Sequence, residues 1–279
     1  MKELPKRIIF GVLFAVIVAA GALFQPLYHL LMVFTIFWTL HEFYTMSMGQ
    51  KAFWAERILA ILSAETMYLL MVLFRAGIIW DLSLLALAFI PIIVLAVFPI
   101  WRKDHSQHGK LAFIFAGLGY VGYPLAAVIP LLVDSWNPFK AWTLLALLVT
   151  VWGSDVGAYF IGTAFGQKPG SIKIAPAISP KKSLWGLFGA VLFGIGLAVG
   201  AHYLGVFDWP IYHCIAIGAI ASLGGLLGDL VESMWKRYFG VKDSGNLIPG
   251  HGGLYDRLDS IIVALPISAI YLLIFGLIR

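Results

Sequence analysis

Long apolar runs recur along the whole chain, and they restrict its fold more than any other feature. A helix of about 20 mostly apolar residues crosses the hydrocarbon core of a bilayer while satisfying its own backbone hydrogen bonds. Composition agrees, because 61% of the 279 residues are hydrophobic and only 12% are charged. Soluble domains carry about 25% charged residues. We therefore predict an all-α fold, a polytopic bundle of membrane helices.

The apolar runs divide into about nine predicted transmembrane helices, separated by turn residues such as Gly, Pro and Asn. The first run follows a basic N-terminus but is longer than the apolar part of a signal peptide, so we interpret it as a membrane helix. We expect a single membrane-embedded catalytic domain over residues 1–279, with N-terminal spans in 1–140 and the site in 141–279. The spans are placed at residues 8–24, 27–45, 57–75, 82–100, 111–133, 141–166, 184–205, 210–235 and 258–278.

Positive charge is distributed unevenly between the two sides of this predicted bundle. With the N-terminus in the cytoplasm, all but three of the 19 lysines and arginines fall on the cytoplasmic side, the exceptions being Arg75, Lys140 and Arg279. Cytoplasmic loops of membrane proteins carry such an excess of Lys and Arg. We therefore predict an N-terminus inside, a C-terminus outside, and two long basic cytoplasmic loops at 167–183 and 236–257.

Carboxylates are few, and several lie within or beside predicted spans. Asp155 lies deep in the sixth span, Asp229 lies near the inner end of the eighth, and Asp256 and Asp259 open the ninth. Ionisable groups at membrane depth are costly and mark functional candidates. Mg²⁺ is usually held by one or two carboxylates together with phosphates and water. We therefore predict that Asp229 and Asp256 are ligands of a metal at the cytoplasmic rim.

Basic side chains and a Gly-rich stretch lie in the predicted cytoplasmic loops around these acids. The stretch at 245–253 can bring backbone N–H groups close to phosphates. Carboxylates within a ring of basic groups suit a metal–polyphosphate ligand. The basic residues are Lys181, Lys182, Lys236, Arg237, Lys242 and Arg257.

A structural interpretation of some of these acids stays open. Asp229, Glu232 and Lys236 lie on one helix face, so either acid can form an ion pair with the lysine. One such pair alone would favour a structural role, whereas the convergence of acids, bases and glycines on one membrane side favours a ligand site. Glu42 and Glu65, also in or near the membrane, remain equally open between structural pairing and a role in the site.

The segment 233–259 carries a long pattern of polar residues at fixed spacing, S-x-x-K-R-x4-K-D, then H-G-G-x-x-D-R-x-D. It resembles the pattern of the phosphatidate cytidylyltransferases, which are CDP-diacylglycerol synthases. About a dozen positions at fixed spacing are far more specific than a short motif. The segments 155–160, 179–183 and 228–233 also resemble the family, whereas the N-terminal half resembles it only as a series of apolar spans.

The resemblance implies transfer of the cytidylyl group of CTP to phosphatidic acid, giving CDP-diacylglycerol and pyrophosphate for phospholipid biosynthesis. It implies Mg²⁺ at Asp229 and Asp256, with a second cation left open. The implied catalytic residues are Asp229, Asp256, Lys236, Arg237, Lys242, Asp243, His251, Arg257 and Asp259. The implied substrate-binding and phosphate-binding residues are Ser179, Lys181, Lys182, Ser183, Ser233, Gly252, Gly253 and Asp155.

The same resemblance sets the expected partners and location. We expect CTP from the cytosol, phosphatidic acid and other lipids from the bilayer, a second copy of the chain as a homodimer, and no nucleic acid. The expected location is the plasma membrane, with the site facing the cytoplasm. The sequence departs from the family pattern at Trp185, where members commonly carry Glu, and at Ser183, which replaces a usual Thr but keeps the hydroxyl.

Two other functions remain as alternatives. A CTP-dependent membrane lipid kinase of the polyprenol or phytol type shares the general chemistry but is not expected to carry the full pattern of 233–259. A transporter would place its acids near the bilayer midplane, in repeats with broken helices. Asp155 fits a transporter equally well, but the other acids gather near the cytoplasmic rim.

Overall fold

Helices account for most of the computed structural model, which describes residues 3–50, 52–101, 108–248, 250 and 252–278. Two of the predicted spans, 82–100 and 111–133, fall on the segments Leu82–Trp101 and His108–Leu132, each of which is built from several short helical pieces. The α-helices of the described residues are α1 (Glu3–Leu23), α2 (Gln25–Met48), α3 (Trp54–Arg75), α4 (Ile90–Val97), α5 (Leu111–Gly117), α6 (Trp142–Ala164), α7 (Leu184–Tyr203), α8 (Ile211–Tyr238) and α9 (Tyr255–Ile274).

The two composite spans are irregular where their sequences disfavour a continuous α-helix. The first opens with a 3₁₀ segment, Leu82–Phe89, and the side chain of Asp81 accepts a hydrogen bond of 2.8 Å from the Ser83 backbone N–H at its start. The second contains two π-helical turns, Leu118–Gly122 and Pro124–Val128. Proline lacks a backbone N–H, so a proline within a span shifts the hydrogen-bond pattern of the turn around it.

The prediction of an all-α polytopic membrane bundle is confirmed. Each predicted span falls on a helical segment, and within the described part of the chain seven segments are long and apolar enough to cross a membrane. The apolar helix at Ile9–Leu23 is shorter. Large apolar side chains such as Leu30, Leu62 and Ile270 are more than half exposed, as expected for groups that face lipid rather than water.

The chain forms two compact units, each of which brings together distant parts of the sequence. The first comprises Met1–Leu131, Ser135–Lys140 and Val241–Arg257, and the second comprises Leu132–Asp134, Ala141–Gly240 and Leu258–Arg279. The organisation as a single catalytic domain over 1–279 therefore stays a prediction.

The first unit has a buried core between α2, α3 and α5. Phe43 and Tyr44 of α2 are fully buried, and the Tyr44 hydroxyl donates a hydrogen bond of 3.0 Å to the Ile114 carbonyl of α5. The short strands β1 (Ser135–Trp136) and β2 (Phe139–Lys140) form a hairpin in this unit. Its last segment, 241–257, lies against α2, although about 200 residues of sequence separate the two.

The second unit is held together by close contacts between helices at small residues. Gly157 of α6 and Gly189 of α7 face each other so closely that a Cβ added to Gly157 would lie 2.6 Å from the Gly189 carbonyl oxygen. The Ser222 hydroxyl of α8 donates a hydrogen bond of 3.0 Å to the Ala190 carbonyl of α7. Small residues let membrane helices approach and gain van der Waals contact, because apolar side chains alone do not favour association within lipid.

Candidate active site

The C-terminal half of α8 presents a row of polar side chains on one face, as the helical spacing predicted. The Lys236 ammonium lies 2.7 Å from Glu232 Oε1, and the Ser233 hydroxyl donates a hydrogen bond of 3.3 Å to Asp229 Oδ1. Both pairs are four residues apart, which is the spacing of neighbours along a helix face. Glu232 is buried, with 1% of its side chain exposed, so its charge is withdrawn from solvent and needs a cationic partner.

Three carboxylates of the second unit converge on one point. One oxygen from each of Asp229, Glu232 and Asp259 lies within 4.8 Å of the others. Hard divalent cations take oxygen ligands, and oxygens bound to one Mg²⁺ at about 2.1 Å lie within about 4.2 Å of each other. Small side-chain rotations would therefore bring this acidic triad (Asp229, Glu232 and Asp259) around a single cation. The donor set fits a hard divalent metal.

Gly228 explains why Asp229 of α8 and Asp259 of α9 lie so close together. A Cβ added to Gly228 would collide with the Asp259 carbonyl oxygen and lie 3.1 Å from Ser260 Cα. One turn earlier, a Cβ added to Gly224 would lie 2.7 Å from Ala264 Cα. The two helices therefore touch backbone to backbone at the level of the triad, and the absence of side chains at these glycines permits it.

Lys182 adds a second cation to the triad. Its ammonium lies 2.7 Å from Asp229 Oδ2, and 16% of its side chain is exposed. Asp155 of α6 lies beside this pair: it interacts electrostatically with Asp229 and Lys182, and it accepts a hydrogen bond of 3.3 Å from the Ser260 hydroxyl. The structure thus brings together Asp155, Lys182 and Asp229, which the sequence predicted for one site from three separate segments.

The charges in this cluster do not cancel. Lys182 and Lys236 offset two of the four carboxylate charges of Asp155 and the triad when all six groups are ionised. A divalent cation bound to the triad would balance the two that remain. The two ammonium groups could then contact phosphate oxygens, so the occupied site would suit a polyphosphate.

A hairpin of strands β3 (Lys173–Ala175) and β4 (Ser179–Ser183) carries three of the four lysines of the first basic loop, Lys173, Lys181 and Lys182. Gln167 fixes the hairpin, because its side-chain amide donates a hydrogen bond of 2.9 Å to the Lys181 carbonyl. The Lys173 ammonium donates to the Gly166 carbonyl at 2.7 Å and to Gln167 Oε1 at 2.9 Å. Lys181 is exposed while Lys182 turns toward Asp229. Neighbouring lysines therefore face different surroundings.

The end of this hairpin also starts α7. The Ser183 hydroxyl is buried and accepts a hydrogen bond of 3.2 Å from the Gly186 backbone N–H, which makes Ser183 the N-cap of the helix. Trp185, at the position where relatives were expected to carry Glu, is half exposed and contacts the rings of Phe165 and Phe188. An aromatic group here suits a membrane interface.

The Gly-rich segment lies in the first unit and is organised by Asp256. Its carboxylate accepts hydrogen bonds from the backbone N–H groups of Ser244, at 3.0 Å, and Gly253, at 2.7 Å. The Ile248 N–H donates to the Gly252 carbonyl at 2.9 Å and closes the loop. Gly252 has φ +83°, a left-handed conformation that glycine adopts without steric cost.

The predicted site residues fall into two groups according to the compact units. The second unit gathers Asp155, Lys182, Asp229, Ser233, Lys236 and Asp259. Also in the second unit are Ser179, which lies in β4, and Arg237, which is exposed near the end of α8. The first unit contains the exposed residues Lys242, Asp243 and Arg257 and the loop residues Gly252, Gly253 and Asp256. His251 lies outside the described residues.

The roles of these residues stay predictions, and the structure adds one that the predicted set lacked. Glu232 belongs to the acidic triad; the sequence placed it on the same helix face as Asp229 and Lys236 but did not predict it as a metal ligand. Its position three residues after Asp229 was the available signal, because residues at that spacing share a helix face.

The sequence is similar to proteins of one family over most of its length. Residues 5–275 match the sequence profile of the cytidylyltransferase family. The chain is 30% identical over 195 residues to a phosphatidate cytidylyltransferase of Bacillus subtilis, covering 70% of each chain. It is 36% identical over 191 residues to one of Staphylococcus aureus, covering 68% of each. A third, from Pseudomonas aeruginosa, is 39% identical over 139 residues, which is 50% of this chain and 49% of that one.

Proposed function

We propose that this chain, which belongs to the cytidylyltransferase family, transfers the cytidylyl group of CTP to phosphatidic acid in a membrane. The relatives named phosphatidate cytidylyltransferase support the reaction and its two substrates. The observation that carries the proposal in the structure is the acidic triad with Lys182 and Lys236 at 2.7 Å from two of its members. Such a cluster suits a metal-bound triphosphate.

The proposed step is an in-line substitution at the α-phosphorus of CTP. A phosphate oxygen of phosphatidic acid forms a new bond to that phosphorus, and the bond from the phosphorus to the oxygen that bridges the α- and β-phosphates breaks. The products are CDP-diacylglycerol and pyrophosphate, which carries away the electron pair of the broken bond. The attacking group is already an anion, so the step needs no side-chain general base.

Charge neutralisation is the main task of the protein in this step, because two anions must meet. Lys182 and Lys236 hold ammonium groups beside the acidic triad, where they can contact phosphate oxygens as well as carboxylates. Fixed cations placed where charge develops lower the barrier without reorganising in the step. Ser233, next to Asp229 Oδ1, orients that carboxylate.

The proposed metal is Mg²⁺, with Asp229 as its central ligand. A bound divalent cation would supply charge neutralisation to the triphosphate. Glu232 and Asp259 are further ligands by their convergence with Asp229. Asp256 remains the second ligand predicted from the sequence; its described contacts are to the backbone N–H groups of Ser244 and Gly253.

The remaining motif residues enter the proposal through the family resemblance. Lys242, Asp243, His251 and Arg257 are proposed to contact phosphates or to orient groups that do, and Lys181 is proposed to bind phosphate. Homodimer formation rests on the same resemblance.

The proposed location is the cytoplasmic face of the plasma membrane. The asymmetric distribution of Lys and Arg supports this orientation. It gives cytosolic CTP and bilayer phosphatidic acid access to the same side of the protein.

The position of the label in CTP separates the proposed reaction from the CTP-dependent kinase. We would reconstitute the protein with phosphatidic acid and Mg²⁺ and supply CTP labelled at either the α- or the γ-phosphate. Cytidylyl transfer moves the α-label into lipid and releases the γ-label as pyrophosphate. A kinase moves the γ-label into a lipid acceptor instead, so we would repeat the assay with a polyprenol.

The expected result is phosphatidic acid-dependent incorporation of the α-label alone. Incorporation of the γ-label would replace the proposal with the kinase. Folded protein that incorporates neither label would reject both activities and favour the transporter.

A further inference from the structure

Glu42 of α2 is a buried carboxylate that lies against the Gly-rich segment of the first unit. Only 5% of the residue is exposed. Its Oε1 accepts a hydrogen bond of 2.9 Å from the Trp38 indole N–H. Its Oε2 accepts from the Ser244 hydroxyl at 3.3 Å and from the Tyr255 backbone N–H at 2.8 Å. One side chain therefore holds both ends of the segment 244–255.

The glycines of the segment are shaped to admit this carboxylate. A Cβ added to Gly245 would lie 2.5 Å from Glu42 Oε1, and one added to Gly253 would collide with Oε2. The neighbouring Phe43 ring contacts the fully buried Tyr255 ring at 5.8 Å between centroids. The side chain of Glu42 therefore fills a space that only glycine backbone leaves open.

Two carboxylates share the task of fixing this segment. Asp256 accepts the Ser244 and Gly253 backbone N–H groups, and Glu42 accepts the Ser244 hydroxyl and the Tyr255 N–H. The three donors to Glu42 are neutral. Burial of a carboxylate is costly unless its oxygens are fully hydrogen-bonded. The segment 244–255 supplies two of the three donors to Glu42, so the buried charge is stabilised only when the segment keeps this conformation.

We infer that Glu42 is a positioning residue for the proposed cytidylyl transfer. It fixes the segment 244–255, which carries Gly252 and Gly253 and leads directly into Asp256 and Arg257. This inference rests on the proposed function, because the segment matters to catalysis only if its motif residues act on phosphates. Glu42 itself acts through the loop and touches no reacting atom.

The test uses Glu42→Gln in the full-length protein, with Glu65→Gln as a matched control. Glutamine keeps the size of the side chain but presents an N–H₂ group to at least one of the three donors. Glu65 lies in α3 of the same unit, and its two carboxylate oxygens make no hydrogen bond within the described residues. Both changes remove one carboxylate from a helix of the first unit, and only one of them disturbs the loop.

A positioning role predicts a loss in kcat that exceeds the loss of stability. Displacing reacting groups by about 1 Å costs about 100-fold in rate. We therefore expect Glu42→Gln to lower kcat at least tenfold, with KM for CTP changing less and the melting temperature in detergent within a few degrees of the parent. Glu65→Gln is expected to keep the parental kcat. Equal effects of the two substitutions on kcat would overturn the inference.

A double-mutant cycle separates the loop contact from a general effect of Glu42. Ser244→Ala removes one donor from the same carboxylate, so its effect and that of Glu42→Gln should not add if both act through the loop. The double variant is expected to lose no more than about twofold beyond Glu42→Gln. Fully additive effects on kcat would show that Glu42 acts independently of Ser244 and would overturn the inference.

Amide hydrogen exchange tests the same contact without requiring activity. Glu42→Gln is expected to increase exchange at least tenfold in the peptide that covers 244–255, while peptides from α8 exchange as in the parent. Unchanged exchange in 244–255 would overturn the positioning role. If the parent protein makes no CDP-diacylglycerol, the proposed function fails, and this measurement still reports whether Glu42 fixes the segment.

Discussion

Lys182 Nζ lies 2.7 Å from Asp229 Oδ2, and this ion pair joins the hairpin of the first basic loop to the acidic triad. The Lys182 ammonium and a cation bound to the triad would both contact the Asp229 carboxylate. Lys182 therefore offsets part of the carboxylate charge, and a metal would reduce the dependence of Asp229 on it.

Lys182→Gln is expected to destabilise the protein chiefly when divalent metal is absent. The substitution leaves Asp229, whose side chain is 37% exposed, without its ammonium partner, and its charge then repels the nearby carboxylates of Glu232 and Asp259. Mg²⁺ binding to the triad would replace the lost charge and stabilise the folded state. Thermal unfolding in detergent should show a lower melting temperature with EDTA and a smaller difference from the parent with Mg²⁺. A difference that does not depend on Mg²⁺ would contradict a metal at Asp229.

Asp229→Asn is expected to weaken divalent metal binding, because it removes one of three converging carboxylate charges. Mn²⁺ can replace Mg²⁺ as a probe, and electron paramagnetic resonance of free Mn²⁺ gives its affinity directly. Glu232→Gln and Asp259→Asn should also weaken binding, whereas Asp208→Asn, an exposed position of the same unit, should not. Parental Mn²⁺ affinity in all three triad variants would exclude this cluster as the metal site.

Gly228→Ala is expected to lower both stability and metal affinity. Its new Cβ would collide with the Asp259 carbonyl and push α9 away from α8, which separates Asp229 from Asp259. The control is Gly196→Ala on α7, where a new Cβ meets nothing within 4 Å and replacing glycine in a helix is favourable by about 0.5–1 kcal/mol. Melting temperatures and Mn²⁺ titrations of the two variants test this prediction. If both variants had the same melting temperature and Mn²⁺ affinity, the close contact at Gly228 would not be what holds Asp229 near Asp259.

Ser183→Ala is expected to lower the free energy of unfolding by about 1 kcal/mol, since it removes the N-cap of α7. Ser183→Thr keeps the hydroxyl and should stay close to the parent. Melting curves in detergent measure both, and a shift of about 2–4 °C corresponds to this loss. Equal stability of Ala and Thr variants would contradict the capping role and favour a direct contact of Ser183 with substrate.

The helical architecture could be predicted from the sequence because lipid leaves few alternatives. A chain of long apolar runs must form helices that satisfy their own backbone groups. The internal irregularity of Leu82–Trp101 and His108–Leu132 could not be predicted, because hydropathy does not distinguish α, 3₁₀ and π turns. Helix ends such as Trp54, three residues before the predicted start at 57, depend on local turn geometry.

The candidate site could be predicted only where its contacts are local in sequence. The row of Asp229, Ser233 and Lys236 follows from helical spacing. The contact of Lys182 with Asp229 depends on tertiary structure, so the sequence could place both at one membrane face, and through the family pattern in one site, but could not predict the contact itself. The role of Glu42 could not be decided from the sequence, because its partners Ser244 and Tyr255 lie about 200 residues away and no spacing rule links them to it.

The most direct test of the central claim is phosphatidic acid-dependent release of pyrophosphate from CTP by the purified protein, measured together with CDP-diacylglycerol. The parent should release one pyrophosphate for each CDP-diacylglycerol formed, in a reaction that requires divalent metal. Asp208→Asn should react at the parental rate. Asp229→Asn should be slower by about 100-fold to 1000-fold, the cost of removing one group that stabilises transition-state charge. Metal-independent product, or parental rates in Asp229→Asn, would contradict the proposed site, and no product from folded parent would contradict the proposed reaction.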